Sequence, residues 1–178
     1  ANVDKFEKEG LLSIKRFNAL DISRSVEALL SEAKNELLID VQPVLIPEGF
    51  DPDIVLIDSI TSIGSAFSGE ENRFRIYMEQ LFRYLEGHDI TSFLIRETTT
   101  PGHTGGATGA NEAVSFLSDG IIVMYNVFYP KRGHRSRGCE ILKMRGTHID
   151  RRIVECDIVP KKGVVVTNKN IVGDYVLT

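Results

Sequence analysis

Asp58 ends an unbroken apolar run, Ile54-Val55-Leu56-Ile57, and Ser59 follows it. A run without polar alternation reads as a strand buried on both faces, as in the middle of a parallel sheet. Ligands of open α/β sheets collect at the carboxyl ends of the strands. A carboxylate in that place can hold Mg2+, directly or through water, beside a phosphate. An acid that merely caps the strand or the next helix explains the same residue. The second candidate is Leu142-Lys143-Met144-Arg145-Gly146-Thr147. Lys143 and Arg145 stand two apart on an expected strand, so both side chains should share one face. Two cations beside a Gly-Thr turn suit phosphate oxygens. An edge strand guarded by Lys and Arg accounts for the spacing as well, and spacing alone favours that simpler account.

Other chemistries find little support. Ser59, Thr61 and Ser62 read as turn or helix-start residues, since there is no GxSxG and no base can be assigned to them. No His or Cys cluster has zinc spacing, and His103 reads as a solvated loop residue. Between Thr98 and Asn111 there is no Lys or Arg, so that Thr- and Gly-rich stretch reads as a surface loop. Lys131-Arg132-Gly133-His134-Arg135-Ser136-Arg137 is a basic hairpin tip. A solvated turn is its first explanation; a neighbour's nucleotide, an acidic protein surface or nucleic acid are the others.

These residues need elements to position them. Lys8-Glu9-Gly10 reads as a helix end, and Leu11 to Phe17 as a short strand. Val26, Leu29, Leu30, Ala33, Leu37 and Leu38 recur at helical spacing from about Ser23 to Val41, and Pro43 and Pro47 end the pattern. Ser68 and Glu71 form a capping box for a helix with Phe74, Met78, Leu81, Phe82 and Leu85 on one face, closed by Gly87. Thr91 to Arg96 is a second buried strand, Asn111 to Leu117 a short helix and Gly120 to Val127 a strand. Cys139 to Arg145, Arg152 to Val159 and Gly163 to Val166 are short strands between Gly, Asp and Lys turns, which suits antiparallel hairpins. The order predicts one α/β domain over 1–178 with a mainly parallel central sheet, flanking helices and antiparallel hairpins at its C-terminal edge.

Composition sets the outer bounds. The 178 residues carry a net charge of −4 and 42% hydrophobic residues, which fits a folded domain and excludes global disorder. The mild acidity disfavours a wholly basic nucleic-acid binder. Cys139 and Cys156 have no CxxC spacing and read as small buried apolar groups, reduced in a cytoplasmic protein. No apolar run approaches the roughly 20 residues of a membrane span, and no signal segment opens the chain.

Three segments taken together carry a family resemblance. Asp58-Ser59-Ile60-Thr61-Ser62, Leu117-Ser118-Asp119-Gly120-Ile121-Ile122-Val123-Met124 and Glu140 to His148 follow the order and spacing of KaiC-like ATPases, a RecA/RadA-like branch of the P-loop NTPases. The resemblance runs from about Phe6 to Val166. It implies a RecA-like core, ATP with Mg2+, and self-association into rings, typically hexamers, with ATP between neighbours. It implies that Asp58 positions the metal and that Lys143 and Arg145 reach the nucleotide of the next subunit. Ser59, Thr147 and His148 would lie at the nucleotide, and Glu97 where relatives place a phosphate sensor. The sequence has no GxxxxGK[ST], which the family pattern would put upstream. The expectation is therefore the C-terminal part of an ATPase used in signalling or conformational switching, with the isolated 178 residues neither binding ATP tightly nor hydrolysing it. An inert scaffold or regulatory module, open to protein partners, and a DNA-binding recombinase relative are the alternatives; DNA is disfavoured.

Overall fold

The structure, a computed structural model, describes residues 3–18, 20–22, 46–47, 49–67, 69–97 and 110–177. The chain divides into two compact units, Ala1–Arg96 and Glu97–Thr178. The helix read over Ser23 to Val41, the cap at Ser68 and the loop Thr98 to Gly109 lie outside the described residues.

The first unit begins with α1, Val3–Lys8, which ends at Gly10 with φ +71°. That left-handed turn lets the Leu11 N–H reach the Phe6 carbonyl at 2.9 Å, the end that Lys8-Glu9-Gly10 predicts. Leu11 to Phe17 forms no strand. A strand needs a ladder partner, and this segment has none among the described residues; Leu11 and Ile14 stay exposed. β1, Ile54–Asp58, pairs in parallel with β2, Thr91–Ile95, from Ile54 opposite Thr91 to Asp58 opposite Ile95. Between them come α2, Ile60–Ala66, and α3, Glu71–Gly87, both packed on β2. Phe74, Tyr77, Met78, Leu81 and Leu85 form the buried stripe of α3. Tyr77 joins that stripe beyond the residues read from the sequence, while Phe82 is only half-buried.

Two expectations change here. α3 starts at Glu71, with Glu70 as its cap residue, so Glu71 is the first helical position and not the third of a capping box. Its carboxylate still favours the positive end of the helix. Burial of β1 on both faces is also corrected. Ile54, Leu56, Phe93 and Ile95 share one face of the parallel pair by register, and all four are exposed, Leu56 by 71%. The alternate residues Val55, Ile57, Ser92 and Leu94 are half-buried, so only one face of the pair is covered among the described residues.

The second unit opens with α4, Ala110–Leu117, then β3, Gly120–Tyr129, and β4, His134–Met144. β5, Val154–Val159, β6, Gly163–Asn170, and β7, Val176–Leu177, complete an antiparallel sheet in the order β6-β5-β4-β3-β7. Its core gathers Tyr125, Val127 and Ile171, with Ile153, Tyr175 and Leu177 against them. Gly138 is fixed by that core, because a Cβ there would stand 2.8 Å from Ile153 Cγ2 and 3.3 Å from Val127 Cγ2. The β3–β4 register carries one irregularity. Ile121 faces Lys143 and Ile122 faces Ile141, leaving Leu142 as an extra residue in β4. The short β7 escapes the sequence reading, since two residues carry no period. No helix among the described residues is long and apolar enough to cross a membrane.

Candidate functional site

In the first unit, Asp58 is the last residue of β1 and lies exposed on the open apolar face, across from Ile95. One residue, Ser59, separates it from α2, whose cap position Ser59 occupies with φ −134° and ψ 154°. The Ser59 hydroxyl makes no cap hydrogen bond and stands 3.4 Å from the Ser62 hydroxyl. The strand thus delivers the carboxylate at its carboxyl end, where the turn into α2 begins. No group of three or more His, Cys, Asp or Glu side chains that could hold a metal is present among the described residues. The described residues thus build no all-protein cage around Asp58. Mg2+ bound to phosphates needs only one or two protein carboxylates, and Asp58 fits that donor set.

In the second unit, Lys143 and Arg145 converge on the end of α4. The Lys143 ammonium donates to the carbonyls of Ser118 at 2.6 Å, Ser115 at 2.9 Å and Phe116 at 3.3 Å. The Arg145 guanidinium donates from Nη2 to the Phe116 carbonyl at 2.5 Å and from Nη1 to Asp119 Oδ1 at 3.0 Å. The Arg145 backbone N–H donates to the Asp119 carbonyl at 2.8 Å. The last carbonyls of a helix have no intrahelical partner and carry the negative end of its dipole. Two cations satisfy both needs here. Burial, with repulsion from Arg145, pulls the Lys143 ammonium below its ordinary value, and Asp119 opposes that pull.

Convergence does not come from strand alternation alone, as the sequence spacing suggests. β4 ends at Met144, so Arg145 sits in the turn before Gly146, whose φ is +70°. Leu142 also breaks the alternation ahead of Lys143. Thr147 and His148 follow in the same turn and are exposed, as is Glu97 two residues beyond β2. Asp119 is the residue that sequence reasoning missed. Its signal is an acid immediately after a helix end, inside the Leu117-Ser118-Asp119-Gly120 segment.

Other candidates are engaged elsewhere. In the basic hairpin tip Lys131 pairs with Asp174, Arg137 donates to Asp157 at 2.8 Å, and the Arg135 guanidinium lies 5.0 Å from the centre of the Phe128 ring. Cys139 and Cys156 are buried and unbridged, and burial pushes both thiols up.

Comparison with known proteins gives a consistent picture. The family model described as "ATPase: KaiC" matches residues 1–171. The chain is 28% identical over 158 residues to the circadian clock oscillator protein KaiC of Thermostichus vulcanus, covering 89% of this chain and 27% of that protein. It is 30% identical over 110 residues to the circadian clock protein KaiC3 of Synechocystis, covering 61% of this chain and 20% of that protein. The crystal structure of a KaiC-like protein from Pyrococcus horikoshii OT3 superposes with a TM-score of 0.62 at 25% identity, covering 92% of this chain and 63% of that one. The chain spans about a quarter of the length of the curated KaiC relatives it matches.

Proposed function

Because this chain belongs to the KaiC family of ATPases and carries its RecA-like α/β fold, we propose that it forms the metal-side and neighbour-facing parts of a domain that binds and hydrolyses ATP. In this reading Asp58 would hold Mg2+ against the phosphates, and Ser59 would line the same turn. Arg145 and Lys143 present positive charge to the nucleotide held by an adjacent subunit of a ring, beside Thr147 and His148. Bound Mg2+ would supply charge neutralisation between the phosphates and Asp58. Arg145 would stabilise the negative charge that develops on the transferred phosphoryl group. Glu97, at the end of the second parallel strand, would report on phosphate only with a cation beside it, because two anions repel. Hydrolysis would couple to signalling or to a conformational change of a cytoplasmic assembly.

What carries this reading is the pair of cations gathered at one helix end, with an exposed strand-end carboxylate in the same chain. A neighbouring-subunit site has a specific test. Subunits of the full-length protein bearing Asp58→Asn and subunits bearing Arg145→Ala are each expected to be slow alone. Mixed, they should regain turnover, because some interfaces then carry both parental groups. Mixtures no faster than the separate variants would remove the shared site.

A further inference from the structure

The assignment of Arg145 to a neighbour's nucleotide leaves open what aims it, since an arginine side chain loses considerable rotamer freedom when it is held in one pose. The second unit contains a device suited to that. Asp119 grips Arg145 at two points, its carbonyl on the backbone N–H at 2.8 Å and its carboxylate on Nη1 at 3.0 Å. The Phe116 carbonyl takes Nη2, so the plane of the guanidinium is fixed by two separate acceptors. Lys143 is anchored differently. A lysine ammonium has three donors, and three carbonyls of the α4 end lie within hydrogen-bond distance of it. Its hydrogen bonds brace the helix end against β4.

Arg145 retains donors that Lys143 does not. A guanidinium has five N–H groups, and only two of them are used in these contacts. The Arg145 side chain is 54% exposed, so the remaining donors can meet an incoming anion. Asp119 is 84% exposed, which makes the pair weak enough to adjust and close enough to direct. A simple helix-end role would need only the carbonyl contacts. It would not require a carboxylate on the outer edge of the guanidinium.

We infer that Asp119, together with the terminal carbonyls of α4, positions the Arg145 guanidinium for an anionic phosphoryl group, so that Asp119 acts on the reaction through Arg145. This rests on the ATPase reading above. Two readouts separate it from that reading and from a structural role.

The first needs no nucleotide. In this chain, side-chain 15N NMR of Arg145 is expected to show distinct Nη signals, because the contacts slow rotation of the guanidinium. Asp119→Asn, nearly the same size, is expected to merge them while the thermal midpoint stays within a few degrees. Unchanged Arg145 signals in that variant would overturn the inference. The second readout is turnover of the full-length protein. Asp119→Ala is expected to lower kcat about fivefold with KM for ATP nearly constant. Asp119→Glu should recover part of that loss. Combined with Arg145→Ala, the Asp119→Ala change should cost nothing further, because its effect passes through the missing guanidinium. Additive losses, or a KM effect in place of the kcat effect, would overturn the inference while leaving Arg145 in the reaction. Parental turnover in Arg145→Ala alone would instead remove the ATPase role of Arg145 and the inference with it.

Discussion

The acid and the cations of this chain are built in opposite ways. Asp58 ends a two-stranded parallel pair, exposed, with no hydrogen bond or ion pair to its carboxylate among the described residues. Lys143 and Arg145 stand at the end of a long antiparallel strand and are tied to one helix end by several short contacts. The difference follows from what each group would do in the proposed reaction. A carboxylate that takes a metal must keep its lone pairs available. A cation that acts on a neighbour's phosphate must be held in a fixed direction, or much of its charge is spread over idle rotamers.

The contrast can be broken most severely at Arg145. In the full-length protein, Arg145→Ala is expected to lower kcat roughly a hundredfold or more, with ATP binding much less affected. A matched loss of affinity would mean that the cation binds ground state and transition state alike. Within the first unit, the covered and open sides of the parallel pair can be set against each other. Met78 is fully buried and Leu56 is 71% exposed. Met78→Ala should destabilise the chain by about 2–5 kcal/mol in denaturant melts, and Leu56→Ala by less than about 0.5 kcal/mol. Similar losses would show that something in solution covers the open face.

A smaller effect tests the antiparallel platform. Gly138→Ala forces a methyl to within 2.8 Å of Ile153 Cγ2, on a β-branched side chain with little freedom to yield. The expected cost is about 1–3 kcal/mol by thermal unfolding. A further modest effect concerns Tyr125, whose hydroxyl donates to Glu140 at 2.8 Å. Burial first, and then the hydrogen bond and the charge of Glu140, push the phenol well above the ordinary tyrosine value. The folded state therefore holds the Tyr125 proton where the unfolded chain, at about pH 10, has begun to lose it. Stability from this group is complete below that pH and declines as pH rises beyond it. Tyr125→Phe should cost about 1 kcal/mol at neutral pH and flatten the alkaline decline.

How far the sequence reveals this molecule depends on what each element's signal is made of. β1 and β2 are visible because uninterrupted apolar runs need no partner to be recognised. Which face of them is covered is a property of the other layer, and Ile54 and Leu56 carry no mark of it. Leu11 to Phe17 has the composition of a strand but has no ladder partner among the described residues. The helix stripe of α3 follows from spacing, whereas its first turn does not, because the cap position falls on Glu70 and Glu71 is already the first helical residue. At the candidate site Asp58, Lys143 and Arg145 are legible as charged residues at element ends. Asp119 was visible only as part of a family segment. Its contact with Arg145 spans 26 residues of chain, a distance no local pattern encodes.

The extra residue at Leu142 has a consequence for how this site can vary. It shifts the alternation of β4 by one step, so Ile141 and Lys143 stand opposite consecutive residues of β3 and their side chains fall on opposite sides of the sheet. Deleting Leu142 would restore regular pleating with Lys143 still opposite Ile121, on the side from which it braces the helix. The side that Lys143 takes is thus set by its partner Ile121 and not by its spacing from Ile141, so a change of one residue at the bulge leaves the lysine facing the helix end as long as that pairing holds.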